Sequence, residues 1–224
     1  MRPLVYIAAA ALLGTCSLPP ALLDQILEIG ELRVVTRDSP SSYVIGPDGP
    51  SGPEFDLVQA FADELGVALI LESVVSVSEI VPRLLSGNAH MAAAGLSITR
   101  SRQEFLNFSH PYETVDMQLI YKVGTGKPRS IEDLAGRSIE VLAGSSHADM
   151  LEALGEIYPE IDWTVNADAA IGDLLAKVAA EELDFTVADS SEFDIQRNFH
   201  PDLRVVLPGI GRSTRLGVFQ GARQ

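Results

Sequence analysis

His90-Met91-Ala92-Ala93-Ala94-Gly95-Leu96-Ser97-Ile98-Thr99-Arg100-Ser101-Arg102-Gln103 reads as a small-residue strand over 90–94 that runs into Gly95 and then opens a short helix. The same rhythm precedes it. Residues 32–36 form a β-branched run, and 55–65 carry Phe55, Val58, Phe61, Ala62 and Leu65 on one helical face ahead of Gly66. Residues 68–71 read as the next strand and 78–85 as a helix ended by Gly87, with Pro82 inside it. Strand, helix, strand, helix, strand predicts parallel pairing, because a parallel neighbour is reached only through a crossover and the helix supplies it.

Downstream, 117–121 reads as one more strand, and Gly124-Thr125-Gly126-Lys127-Pro128 as a polar crossover into a second lobe. That lobe opens with the capping-box pattern Ser130-Ile131-Glu132-Asp133. Strands are expected over 138–142, 162–165, 185–189 and 203–207, helices over 147–157, 169–181 and 190–200, and a last strand over 214–219. The expected fold is α/β, two βα lobes with a ligand cleft between them: lobe one from 31–121 plus 208–224, lobe two from 122–207. Open α/β sheets bind ligands at the carboxyl ends of their strands, so the chemistry is expected in strand-to-helix loops.

The chain has 224 residues, 46% hydrophobic, enough for two modest cores. Its 16 basic against 31 acidic residues give a formal charge of −15, which excludes a nucleic-acid footprint and disfavours polyanions and anionic membrane surfaces. Arg2, an apolar run over 4–13 and small residues before Cys16 read as an export signal spanning 1–16, too short for a membrane span. Leu13-Gly14-Thr15-Cys16 is similar to a lipobox, which implies a periplasmic protein with Cys16 as its lipidation site and only membrane anchor; the alternative is an ordinary signal-peptide cysteine lost on cleavage. With one cysteine, no disulfide within the chain can form.

Three loops carry candidate chemistry. Gly95 lets a ligand approach the backbone, Ser97 and Thr99 offer hydroxyls, and Arg102 offers a planar fork that holds a carboxylate bidentately. Gly144-Ser145-Ser146-His147 ends a strand at a helix N-terminus, where amides and the helix dipole favour an anion, although Ser145 also suits a plain N-cap. Asp189 ends an apolar strand, either as an N-cap for the next helix or as a partner for an ammonium group.

The run from Gly95 through Arg102 to Phe108-Ser109-His110-Pro111-Tyr112 resembles the extracellular solute-binding proteins of family 3, over roughly 32–219. The resemblance implies a periplasmic binding protein-like fold, Arg102 on a ligand α-carboxylate, Ser145 and Ser146 closing over it, and Asp189 on the amino group. Arg37 and Val77 stand where that family often carries an acid and an aromatic, which argues against a simple single amino acid; Tyr43 is the candidate replacement platform, with an exposed loop tyrosine as the alternative reading. Thr36-Arg37-Asp38-Ser39-Pro40, Ile157-Tyr158-Pro159 and Thr186-Val187-Ala188-Asp189-Ser190 are similar to the N-terminal module of membrane-bound lytic murein transglycosylases, which implies a wall-derived peptide ligand.

No catalytic centre is expected. Glu72-Ser73, the only Glu-Ser pair, ends an apolar strand rather than lying on a helix as a lytic glutamate would. His90, His110, His147 and His200 lack metal-ligand spacing and read as surface or capping histidines, and no cofactor fingerprint occurs. The expected partners are a small amino-acid or peptide ligand and an ABC permease or a murein-lytic enzyme, with no nucleic acid. The sequence stops at Gln224 straight after its last expected strand, where a closing helix is usual, and so reads as a fragment or an early-ending relative.

Overall fold

A computed structural model describes residues 21–206, together with the backbone of 211–215 and 218–219. The first half runs α1 (Leu22–Ile29), β1 (Glu31–Arg37), the hairpin β2 (Val44–Gly46) and β3 (Gly49–Ser51), α2 (Pro53–Leu65), β4 (Ala68–Val74), α3 (Val77–Leu85), β5 (Met91–Ala92), α4 (Arg100–Gln103) and β6 (Asn107–Phe108). Then come β7 (Glu113–Lys122), a 3-10 turn at Glu132–Leu134, β8 (Ile139–Leu142), α5 (Ser146–Gly155), β9 (Thr164–Asn166) and α6 (Ile171–Ala179). The described chain closes with β10 (Phe185–Asp189), α7 (Ser190–Gln196), β11 (Leu203–Val205), β12 (Gly211–Arg215) and β13 (Val218–Phe219).

Alternation along β1 explains the layering of the first lobe. Leu32 and Val34 point into one core with Ile26, Val58 and Ala62, while Val35 points into another with Ile80 and Leu84. A strand buried on both faces must be central, and β1 lies between β4 and β5, parallel to both, in a sheet ordered β4-β1-β5-β13-β6. The second sheet is ordered β11-β7-β10-β8-β9, with β12 also on β7. Phe185 and Val187 fill its own core beside Val141 and Leu151. Ala188, Leu142 and Leu174 instead join Val77 and Ile80 of the first lobe, so one apolar cluster runs across the lobe boundary.

Three expectations need correction. The strand expected to finish the first lobe is β7, and it pairs antiparallel with β10 and β11 in the second sheet; the chain has therefore changed sheets before residue 113, not at 124–128. The single strand expected over 214–219 is two: β12 pairs with β7, whereas β13 pairs with β5 and β6. The capping-box pattern at 130–133 yields only the 3-10 turn, because Asp133 accepts from the Arg129 amide (2.8 Å) instead of capping a longer helix.

Where β8 and β10 begin, Asp184 ties the two strands together. It accepts from Arg137 (2.8 Å), the Ser138 amide (2.9 Å) and the Ser138 hydroxyl (3.0 Å). The Arg137 guanidinium, followed by Ser138, holds this carboxyl below its ordinary range. A lowered carboxylate pKa contributes stability above the unfolded value, about 3.9, that disappears as pH falls through the folded value. Asp184→Asn should therefore cost about 1 kcal/mol in urea unfolding at pH 7, a modest figure because the group is partly solvated, and the gap between variant and wild type should close towards pH 3.

Candidate functional site

The first lobe supplies a guanidinium. The loop after β5 carries Gly95, whose amide donates to Glu54 Oε2 (2.7 Å); Glu54 also accepts from the Tyr112 hydroxyl, so a buried carboxylate on α2 fixes the loop. Thr99 then caps α4 by accepting from the Arg102 amide (3.3 Å). The Arg102 side chain, 5% exposed, donates through Nη1 to the Ser97 carbonyl and through Nη2 to the Gly144 carbonyl, both at 2.7 Å. The first carbonyl belongs to its own lobe and the second to the other. Burial lowers the pKa of this guanidinium, while Asp149 and Asp189 act in the opposite direction.

The second lobe supplies a helix start, an acid and a histidine. Ser145 Oγ accepts from the Ala148 amide (3.3 Å) and donates to the Leu142 carbonyl (2.7 Å), which makes it the N-cap of α5. Gly144 before it has φ 69°, and a Cβ there would lie 2.9 Å from Ser78 Cα of the first lobe. Only glycine allows that backbone to come so close. Asp189 Oδ1 lies 3.0 Å from His147 Nε2, with both side chains 5% exposed.

A second set of contacts joins the lobes. Arg37, at the end of β1, forms an ion pair with Glu192 of α7, and the Ser39 and Ser41 hydroxyls donate to the same Glu192 oxygen (3.1 and 3.4 Å). Arg37 Nε donates to the Ala94 carbonyl (3.3 Å). At the rim, Ser101 donates to Asp149 (3.0 Å).

Between the lobes these residues enclose a cavity of about 20 Å³, room for about one water molecule. Gly95, Ser97, Arg102, Ser145, Ser146 and Asp189 all line it. Tyr43 does not; its ring is buried and packs on Phe55 with centroids 6.1 Å apart, so it is neither a platform over this cavity nor an exposed loop tyrosine. Cys16 and the export signal lie outside the described residues. Arg37, Val77, His147 and Glu192 line the cavity as well, and Arg37 also walls a wider interlobe groove of about 500 Å³ with Asp38, Asp173 and Gln196. His90 and His147 are buried, contrary to the surface reading. Among the described residues no three His, Cys, Asp or Glu side chains gather in a metal-binding group.

This geometry agrees with the comparisons. The model of the bacterial extracellular solute-binding proteins, family 3, matches residues 32–201. The chain belongs to this family. The chain is also similar to membrane-bound lytic murein transglycosylase F of Pseudomonas fluorescens, 37% identical over 212 residues, 94% of this chain and 44% of that protein. Membrane-bound lytic murein transglycosylase F 1 of Alkalilimnicola ehrlichii is 41% identical over 187 residues, 83% of this chain and 38% of that protein. The chain thus spans less than half the length of these curated relatives. Among solved structures, the arginine-bound form of truncated ArgBP from T. maritima superposes with a TM-score of 0.77 at 23% identity, covering 88% of this chain and 91% of that one. The ancestral amino acid-binding protein AncCDT-1, described as a precursor of cyclohexadienyl dehydratase, gives 0.75 at 24% identity over 90% of this chain and 87% of that one. At such identity the likeness establishes the two-lobed family 3 fold.

Removing one member of a buried ion pair ordinarily costs about 3–5 kcal/mol, because the other charge stays dry. Arg37 and Glu192 stand on different lobes, so a parting of the lobes in the variant would let Arg37 reach water and cap the loss. Glu192→Gln is expected to lower stability by about 1–3 kcal/mol in calorimetry and to raise the radius of gyration in solution scattering.

Proposed function

We propose that this chain is a periplasmic solute-recognition module whose lobes close on the carboxylate of an amino acid or a short wall-derived peptide. The observation that carries the reading is the Arg102 guanidinium, buried between the lobes with one amino group bonded to each. If the lobes part, the Gly144 carbonyl leaves Nη2, and the fork faces the cleft with a donor free for a carboxylate. Two parallel N–H···O bonds to a carboxylate are stronger than bonds to neutral carbonyls, so such a ligand displaces the internal acceptors. The first turn of α5 at Ser145 and Ser146 brings amide donors and a positive helix end to the same group. Asp189 offers an acceptor for the ligand's amine.

Ser145 and Ser146 act from the second lobe and Arg102 from the first, so the ligand contributes contacts only when both lobes meet around it. Binding and closure are thereby one equilibrium. The names of the curated relatives support a sensing role beside a murein-lytic activity over delivery to an ABC permease. In this reading the chain recognises the ligand, glycan cleavage falls to a separate catalytic domain, and Cys16 carries the lipid anchor.

Titration calorimetry with L-amino acids and peptidoglycan stem peptides should detect saturable binding that Arg102→Ala weakens by about 1.5–3 kcal/mol, the range for hydrogen bonds to charged groups. Equal affinity in wild type and variant would remove Arg102 from the site.

A further inference from the structure

We infer that the interlobe groove beside the carboxylate cavity is a subsite for a cationic residue. The ligand is then a short peptide whose carboxyl-terminal residue is small and whose preceding residue carries an ammonium; the inference rests on the carboxylate-binding reading above. With the lobes closed, the cavity beside Arg102 has about 20 Å³, room for about one water molecule. A carboxylate held there leaves space for a small side chain and little else. The adjoining space is the groove of about 500 Å³, since Arg37 borders both. A peptide whose terminal carboxylate meets Arg102 and whose chain leaves past Arg37 places its preceding residue in that groove.

Both lobes build the groove, and its charge is one-sided. Asp38, just after β1, and Asp173, in the first turn of α6, are exposed carboxylates on opposite lobes. Among the described residues of the lining the one cation is Arg37, which is already paired with Glu192. Closing the lobes brings two like charges to one groove, a cost that an ammonium between them offsets. Val75, 72% exposed, and Pro40 offer apolar surface to the methylene stem behind such an ammonium. Gly172 keeps the floor open. A Cβ there would meet nothing nearer outside its own helix than Gln196 Nε2 at 3.6 Å, an ordinary contact, so crowding does not call for a residue that weakens a helix.

Titration calorimetry on the purified chain would compare alanine with lysyl-alanine and norleucyl-alanine, each made with L- and with D-alanine. Norleucine matches the stem of lysine and lacks the ammonium. Lysyl-alanine should bind about fivefold tighter than norleucyl-alanine, the upper range for one ion pair open to solvent, and both should bind tighter than alanine. Asp38→Asn combined with Asp173→Asn should abolish the lysyl preference and leave norleucyl-alanine unchanged. An asparagine oxygen still accepts from the Ala170 amide, which Asp173 Oδ2 meets at 2.8 Å, so α6 keeps its cap. Gly172→Leu, which fills the floor, should weaken both dipeptides and spare alanine. Equal affinity for the two dipeptides, a lysyl preference that survives the double substitution, or dipeptides no tighter than alanine would each overturn the inference. Arg102→Ala weakening all three ligands alike supports the carboxylate reading whatever the groove does. If the wild type ignores this panel the groove assignment falls, while binding of other amino acids or stem peptides through Arg102 would still uphold the reading beneath it.

Discussion

A cation stripped of water has to be given back its hydrogen bonds, and in this chain Arg102 recovers them from two bodies at once. Its carbonyl acceptors at Ser97 and Gly144 stand on opposite lobes, each at 2.7 Å. The rest of the cleft follows from holding that guanidinium in place. Thr99 caps the short helix that carries it, Glu54 pins the loop before it, and Gly144 lets the opposing backbone within van der Waals reach of Ser78. Burial disfavours the charged form, and a negative group placed beside the guanidinium would offset that cost.

Arg37 and Glu192 add a different kind of contact. Buried ion pairs contribute little net stability, because desolvation consumes most of the Coulomb gain, but they tolerate few alternative geometries. Three donors from 37–41 meet one carboxylate oxygen, which sets how the lobes register when they touch. The departure from the usual family pattern at Arg37 is thus compensated by an acid on the facing lobe.

Much of this architecture was legible in the sequence because its signals are local. Periodicity located β1, α2, β4 and α3, and the loops after β5, β8 and β10, with Arg102 on α4, line the interlobe cavity where βα logic expects a cleft. What escaped was non-local. Nothing near β7 in sequence reveals that its partners are β10 and β12, and Arg37 and Glu192 lie 155 positions apart. Glu192 reads locally as a first-turn acid behind Asp189, the ordinary sign of a helix start. His147 was obscured in the same way, since a histidine after two serines looks like a cap residue until the fold turns Asp189 towards it.

The chain crosses between its two sheets twice, and the strands on either side of the crossings are neighbours in both sheets. β6 and β13 are antiparallel partners in the first sheet, β7 and β12 are antiparallel partners in the second, and Glu113 faces Arg215 where that second pair begins. One tether would let the halves swivel like beads on a thread. Two neighbouring crossings resist twisting more than bending, so any parting of the lobes would follow the path of a door on its hinge. Closing along such a path would return the fork of Arg102 to the same Gly144 carbonyl without a search for alignment.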